Sequence, residues 1–518
     1  MIDGKILTEK LIKYALTFLD MEKRDEIYFR NLLLREFNED VPFSGDLDLS
    51  YIKELTVPDE LVSEIEQFGR ENEKIEAGLE NLYSTYIMGL ISPLPSKVNQ
   101  RFNEIKKSEG IEKACEYFYK LSVKNNYVQK TAIERNLKWD YVDGDKTLEI
   151  TINLSKPEKD NKEIAKLVAK KPTTTEKYPA CFLCKENEGF KGSATHPARE
   201  NIRTISLTMG GEPWFVQYSP YAYYNEHMIA ISEAHTPMHI EDDTIDKLID
   251  FVEFFPNYMI GSNAALPIIG GSILNHEHFQ GGEHLMPMHH APISKEFGEF
   301  KNKKYKKVQV GIVDWYNSVI RLESTDRKQI SDFAKEIIAG WKAFSDEQCG
   351  IVNKTGDVPH NSVAPVLRRS GKKFIFDLIL RNNITSEQYP DGVFHAHPEY
   401  HNIKKEGIGL IEAMGLFILP GRLKRQLNDI ADILCGNAPY SEEEIANSEH
   451  SLYVHREMIK SLYLNGIAKN KEEAEARVTD RVNEICRQIL FNTSVFKKDE
   501  QGNNGFVKFL NSVGVFNK

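Results

Sequence analysis

The stretch Asn275-His276-Glu277-His278-Phe279-Gln280 limits the fold more tightly than any other, because two histidines and a glutamine at alternating positions are hard to explain as packing. In an extended strand the period of two puts His276, His278 and Gln280 on one face, with Glu277 and Phe279 on the other. Three polar groups then converge on one spot. Gly270-Gly271 upstream and Gly281-Gly282 downstream let backbone approach a ligand closely. A strand carrying imidazoles between glycine-rich flanks points to a phosphate site. The competing reading is a solvated edge strand with two histidines on its wet face, which for an isolated H-x-H is the commoner outcome. Residues elsewhere in the chain decide between the two.

At 518 residues the chain is too long for one ordinary core, and 41% hydrophobic with 28% charged residues is the composition of a soluble globular protein of two or more domains. The net charge of -11 argues against nucleic-acid and membrane-surface partners, which select for a basic face. An anionic small substrate would need a local cationic patch instead. Asp3, Lys5, Glu9, Lys10 and Lys13 interrupt the start of the chain, so it lacks the apolar core of a signal peptide, and no run approaches a membrane span. The six cysteines, sparse for this length, fit a reducing compartment, and a cytoplasmic location is expected.

From Ile2 to about Lys138 apolar residues recur at helical spacing, with Pro58-Asp59-Glu60 as a helix start. Thr147–Leu154 alternates as a strand, and Ser155–Lys171 is a lysine-rich connector. Thr204–Thr208, Trp214–Tyr218 and His227–Ser232 read as strands, the first two joined by a turn at Gly210-Gly211-Glu212, and Asp242–Phe254 reads as an amphipathic helix. Followed by the His276 strand, this order makes an α+β domain. Lys306–Glu323 again favours strand, Asp326–Ser345 helix, and Val363–Arg381 a hairpin about Ser370-Gly371-Lys372. The similar order points to a structural duplication. After Leu423 the pattern is helical, with a start at Ser441-Glu442-Glu443-Glu444.

Cys181-Phe182-Leu183-Cys184 has the spacing by which one turn of chain offers two thiolates to zinc. His235 and His276 are candidates for the other two ligands. Two buried thiols or a redox pair are the alternatives, but a redox motif needs a helix after it, whereas Lys185-Glu186-Asn187-Glu188-Gly189 reads as a turn. His227, His235 and His239 taken singly would each be surface or satisfied core histidines.

Together, Ala180–Cys184, Tyr224-Asn225-Glu226-His227-Met228-Ile229, Ser232-Glu233-Ala234-His235 and His276–Gln280 resemble the galactose-1-phosphate uridylyltransferases of the histidine-triad superfamily. His395-Ala396-His397 and Lys405-Glu406-Gly407-Ile408-Gly409-Leu410-Ile411-Glu412 are similar to that family's C-terminal domain, and the long helical extensions resemble its type II branch. The resemblance implies two histidine-triad-like antiparallel-sheet domains in tandem, at 176–300 and 301–423, with a helical N-terminal region and connector at 1–175 and a helical extension at 424–518. It also implies transfer of UMP from UDP-glucose to galactose 1-phosphate through a uridylylated histidine, in a homodimer. His278 would be the nucleophile and Gln280 a contact to the phosphoryl oxygens; Cys181, Cys184, His235 and His276 would bind zinc. Asn225, Asn263, Gly270 and Ser272 would lie against the nucleotide, Lys405 and Glu412 against the hexose phosphate, and Arg203 or Arg199 near the diphosphate.

The chemistry agrees with these roles. Imidazole, with an ordinary pKa of about 6.5, is largely neutral at pH 7 and can attack phosphorus and later leave. Its other nitrogen must donate to an acceptor, expected to be a backbone carbonyl. Gln280 can donate to phosphoryl oxygens that a carboxylate would repel. The chain departs from the type I motif in carrying Glu277 between the histidines, where that motif has proline. His395 and His397 match one pair of a second metal site in some relatives, but no histidine lies between His360 and His395 for the third ligand, so that site is not expected. The rivals are a diadenosine polyphosphate phosphorylase using the same His278 chemistry, a zinc-stabilised nucleotide-binding protein, and a zinc hydrolase, which four protein ligands would disfavour.

Overall fold

The computed structural model describes residues 2–75, 78–155, 178–271 and 273–517. It is an α+β protein with antiparallel sheets, and its residues form two compact units. The first comprises 1–135, 155–236 and 276–282; the second comprises 136–154, 237–275 and 283–518. Each is assembled from several stretches, whereas the four segments expected from the sequence are contiguous. Of the lysine-rich connector, only Ser155 falls within the described residues.

In the first unit the expected helices form for local reasons. Asp3 caps Gly4–Phe18 by accepting from Lys5 N and Ile6 N, and Leu7, Leu11, Ile12 and Ala15 are its buried stripe. Asp59–Glu71 starts with two acidic residues against the helix dipole and buries Leu61, Ile65 and Phe68. Ile111–Lys124 lays Phe118 against the sheet, its ring 5.0 Å from that of Tyr218. The sheet runs Ile205–Met209, Glu212–Tyr218, Met228–Ser232, His278–Gly282, all antiparallel. Gly210 and Gly211, at φ 59° and 79°, make the two-residue turn between the first two strands, a conformation that suits glycine.

The fourth strand begins at His278, not at His276 as a continuous extended stretch would require. The reason is the carbonyl of Ser232, which accepts from the ring of His276 at 2.9 Å. Glu277 still bonds through its backbone, accepting from Ser232 N and donating to Thr236 O, so the segment is fixed without regular pairing.

In the second unit a five-strand ladder runs Met259–Gly261, Asn361–Ser370, Lys373–Asn382, Val319–Ser324, Gln309–Ile312. The hairpin about Gly371 forms as expected, and helices Asp242–Phe254 and Arg327–Ala343 join through Asp246, which accepts from Ser331 and Lys335. Lys306–Glu323 is two strands rather than one. Burial of Trp315 breaks it: the indole N–H donates to Ala413 O at 3.0 Å, and Asn317 donates to the same carbonyl. Leu416–Pro420 lies parallel to Lys146–Asn153 in a separate sheet. Helices Leu423–Leu434, Lys471–Thr493 and Glu500–Ser512 follow, and Ser441 caps the short helix Glu442–Ile445. No helix among the described residues is long and apolar enough to cross a membrane, and all six cysteines are free thiols.

Candidate active site and metal centre

Cys181, Cys184, His235 and His276 come together in the first unit, with their ligand atoms all within 4.8 Å of one another. The two sulfurs are 3.5 Å apart; His276 Nδ1 is 3.2 Å from Cys181 Sγ and 3.7 Å from Cys184 Sγ, and His235 Nδ1 is 3.0 Å from Cys184 Sγ. Bonds of about 2.3 Å to sulfur and about 2.0 Å to nitrogen in a tetrahedron set edges of roughly 3.3–3.8 Å, so the four donors fit a tetrahedral metal ion with little adjustment. The Cys181–Cys184 loop is built for thiolates: Leu183 N–H points at Cys181 Sγ and Cys181 N–H at Cys184 Sγ, each at 3.3 Å. Asn187 closes it by donating to the carbonyls of Cys181 and Cys184, and His196 in turn holds Asn187. Burial and the adjacent Cys181 push the Cys184 thiol up to about 11, a proton that a bound cation would displace.

His276 links this centre to the next residue of interest. A carbonyl can only accept, so the bond to Ser232 O puts the proton of His276 on Nε2 and leaves the Nδ1 lone pair facing the sulfurs. The backbone carbonyl of the same residue accepts from His278 Nδ1 at 2.8 Å. His278 is therefore the tautomer with a bare Nε2, and the acceptor required from the sequence is His276 O. Burial lowers the His278 pKa below its ordinary value, favouring the uncharged ring.

Gln280 is oriented by His227, which sequence reasoning left as an ordinary histidine. Tyr223 N–H points at His227 Nδ1 at 3.5 Å, and His227 Nε2 donates to Gln280 Oε1 at 2.7 Å. The amide oxygen is thereby occupied and the amide NH2 is left as the donor. Burial pushes the His227 pKa down to about 4, so the ring stays neutral. The available signal was register: Met228 pairs with Gly281 and Ile229 with Gln280, which sets His227 beside the H-x-H strand. On the opposite face Phe279 stacks on Trp214, ring centroids 5.0 Å apart. Gly282 serves packing, since a side chain there would meet the ring of Tyr224 and the carbonyl of Glu226.

Other expected residues are placed differently. Arg203 is almost fully buried and donates to the carbonyls of Pro93, Glu200 and Ile202 at 2.5–2.8 Å; its fork is a brace for the backbone, not an open anion contact. Arg199 is half-buried over the ring of Tyr127. Asn225 is exposed in the turn before Met228–Ser232. In the second unit Asn263 is buried and accepts from Leu410 N at 2.9 Å, and Gly270 sits in a turn so tight that a Cβ would lie 2.4 Å from Leu266 O. Ser272 lies outside the described residues. Glu412 accepts from Gly409 N and is paired at 3.0 Å with Lys404, whereas Lys405 is exposed. The buried cation of this loop is thus the neighbour of the one expected. His284 pairs with Glu149 at 2.8 Å, which accounts for it without a catalytic role.

The family model for the galactose-1-phosphate uridyl transferase N-terminal domain matches residues 20–237, and that for the C-terminal domain matches 251–450. A galactose-1-phosphate uridylyltransferase of Caldanaerobacter subterraneus subsp. tengcongensis is 44% identical, covering 99% of this chain and 98% of its own. One from Fusobacterium nucleatum is 40% identical and covers 98% of each. Among solved structures, a yeast Ap4A phosphorylase aligns over 64% of this chain and 88% of its own, at 12% identity and a TM-score of 0.32. Matched at both domains and across nearly its full length, the chain belongs to the galactose-1-phosphate uridylyltransferase family.

Proposed function

We propose that the protein transfers UMP from UDP-glucose to galactose 1-phosphate by two displacements at phosphorus, with His278 as the covalent carrier. The lone pair on His278 Nε2 forms a bond to the α-phosphorus of UDP-glucose, the bridging P–O bond breaks, and glucose 1-phosphate leaves with that electron pair. A phosphate oxygen of galactose 1-phosphate then attacks the same phosphorus, the N–P bond breaks, and UDP-galactose is released with the imidazole restored. The hydrogen bond from His278 Nδ1 to His276 O carries the reading, because it leaves one nitrogen bare and keeps the other protonated throughout.

Gln280, turned by His227, donates its amide N–H to the oxygens of the transferred phosphoryl group. Cys181, Cys184, His235 and His276 would hold zinc, and four protein donors would suit a structural ion that shapes the site in preference to one that activates water. Asn225, Asn263, Gly270 and Ser272 as nucleotide contacts, and Lys405 and Glu412 as hexose-phosphate contacts, rest on the family resemblance, as do the homodimer and the cytoplasmic location. In the absence of galactose 1-phosphate the enzyme should release one glucose 1-phosphate per active site from UDP-glucose and stop. Continuous release without acceptor, or none until acceptor is added, would contradict the double displacement.

A further inference from the structure

The loop between Lys404 and Glu412 in the second unit is bonded at both ends of its exposed middle. Lys404 Nζ reaches Glu412 Oε1 at 3.0 Å and Ile418 O at 2.8 Å, Gly409 N–H donates to Glu412 Oε2 at 3.2 Å, and Leu410 N–H donates to Asn263. At the centre is the Ile408 peptide, held from both sides. Its N–H donates to His395 Nε2 at 3.0 Å, and its C=O accepts from Arg381 Nη2 at 2.8 Å. Arg381 is 1% exposed and His395 3% exposed, while Lys405, Glu406 and Gly407 face solvent.

We infer that His395 and Arg381 are positioning residues that clamp the Ile408 peptide and so hold the exposed 405–407 segment in the shape that receives the hexose phosphate. The ligand in this statement rests on the function proposed above; the clamp does not.

A fully buried guanidinium is an expensive way to fill a core, and apolar side chains of the same volume would be as stable or more so. Here it and a buried imidazole are both committed to one peptide of a loop whose neighbours are open to solvent. Precision at a binding loop explains that choice better than bulk stability. His395 must be uncharged at Nε2 to accept from an amide, and burial together with Arg381 pushes its pKa down to about 4, which keeps it so. The backbone of Gly392 runs close to His395, where an added Cβ would lie 2.9 Å from His395 Cβ. Glu412 is ion-paired with the buried Lys404, and its charge also acts on the buried Arg381.

Hydrogen–deuterium exchange on the full-length protein without substrate tests the clamp itself. The Ile408 amide should exchange far more slowly than that of exposed Gly407, and faster in His395→Ala than in the wild type; equal exchange at Ile408 and Gly407 in the wild type would show that no clamp exists. In steady-state assays with saturating UDP-glucose, His395→Ala should raise the KM for galactose 1-phosphate about tenfold, the scale of one lost hydrogen bond, while UMP loading still reaches one per chain. His395→Gln, whose amide oxygen can accept from Ile408 N, should recover most of that loss. An unchanged KM in His395→Ala, or a glutamine variant as impaired as alanine, would overturn the positioning role. Failure of the wild type to load UMP would count against the proposed function and leave the exchange result to judge the clamp.

Discussion

A hydrogen bond at one ring nitrogen fixes which nitrogen of a histidine carries the free lone pair, and for His278, the proposed nucleophile, that bond runs from Nδ1 to His276 O. Because burial lowers the His278 pKa from 6.5, the reactive neutral form persists to lower pH than for a free imidazole, and activity is lost only as pH falls through the lowered value. The acid limb of kcat/KM for UDP-glucose should therefore lie below pH 6.5, and a limb at or above it would contradict the assignment. Gln280→Ala should slow transfer by ~10²–10³, the usual loss for one donor to a charged transition state. His227→Phe keeps the ring volume but frees the Gln280 amide to turn, so it should lower kcat while leaving the KM for UDP-glucose nearly unchanged. At this scale the sequence is legible in which residues gather: the C-x-x-C spacing and the alternation of His276, His278 and Gln280 single out side chains, and the structure clusters Cys181, Cys184, His235 and His276, while the roles of His278 and Gln280 come from the family resemblance. It was illegible where two neighbours differ only in direction. Lys404 points inward to Glu412 and Lys405 outward, and nothing in the letters distinguishes them.

The H-x-H strand works as a unit because its two ends are tied to different partners. The Ser232 carbonyl accepts from the ring of His276, the Ser232 amide donates to Glu277 O, and Phe279 stacks on Trp214 on the opposite face. Metal ligation at His276 Nδ1 would add a further tie, two atoms of backbone away from the acceptor that orients His278. Removing the metal with a chelator should accordingly lower the melting temperature and slow UMP loading together, with both restored by zinc; loss of neither would show that the cluster is dispensable. Helices and hairpins are readable from the sequence because their signals are local: Pro58-Asp59-Glu60 and Ser441 as helix starts, Gly210-Gly211 as a turn. The start of the fourth strand and the break at Trp315 were not, since each is decided by a distant carbonyl, Ser232 O in one case and Ala413 O in the other.

Across the whole molecule, buried ionic groups separate by what they serve. Asp377 is completely buried and accepts from both Arg321 and Arg368 at 2.6–3.2 Å, which ties together neighbouring strands of the second unit. Burial alone would raise its pKa, but the two guanidinium groups hold it low, so its contribution to stability is full above the ordinary value of 3.8 and fades as pH falls through the lowered one. Asp377→Ala leaves two cations uncompensated and should destabilise by about 3–5 kcal/mol in denaturant titration, without changing the site chemistry of any molecule that remains folded. Arg203, expected at the diphosphate, is likewise a brace, and the sequence does not show it because one of its acceptors, Pro93 O, lies far away in the chain. The proposed mechanism depends on one covalent bond. Exposing the protein to UDP-glucose without acceptor, then mapping the adduct by peptide mass spectrometry, should place UMP on His278 of the wild type and nowhere in His278→Ala; UMP at another residue, or full exchange between the two sugar nucleotides by His278→Ala, would contradict it.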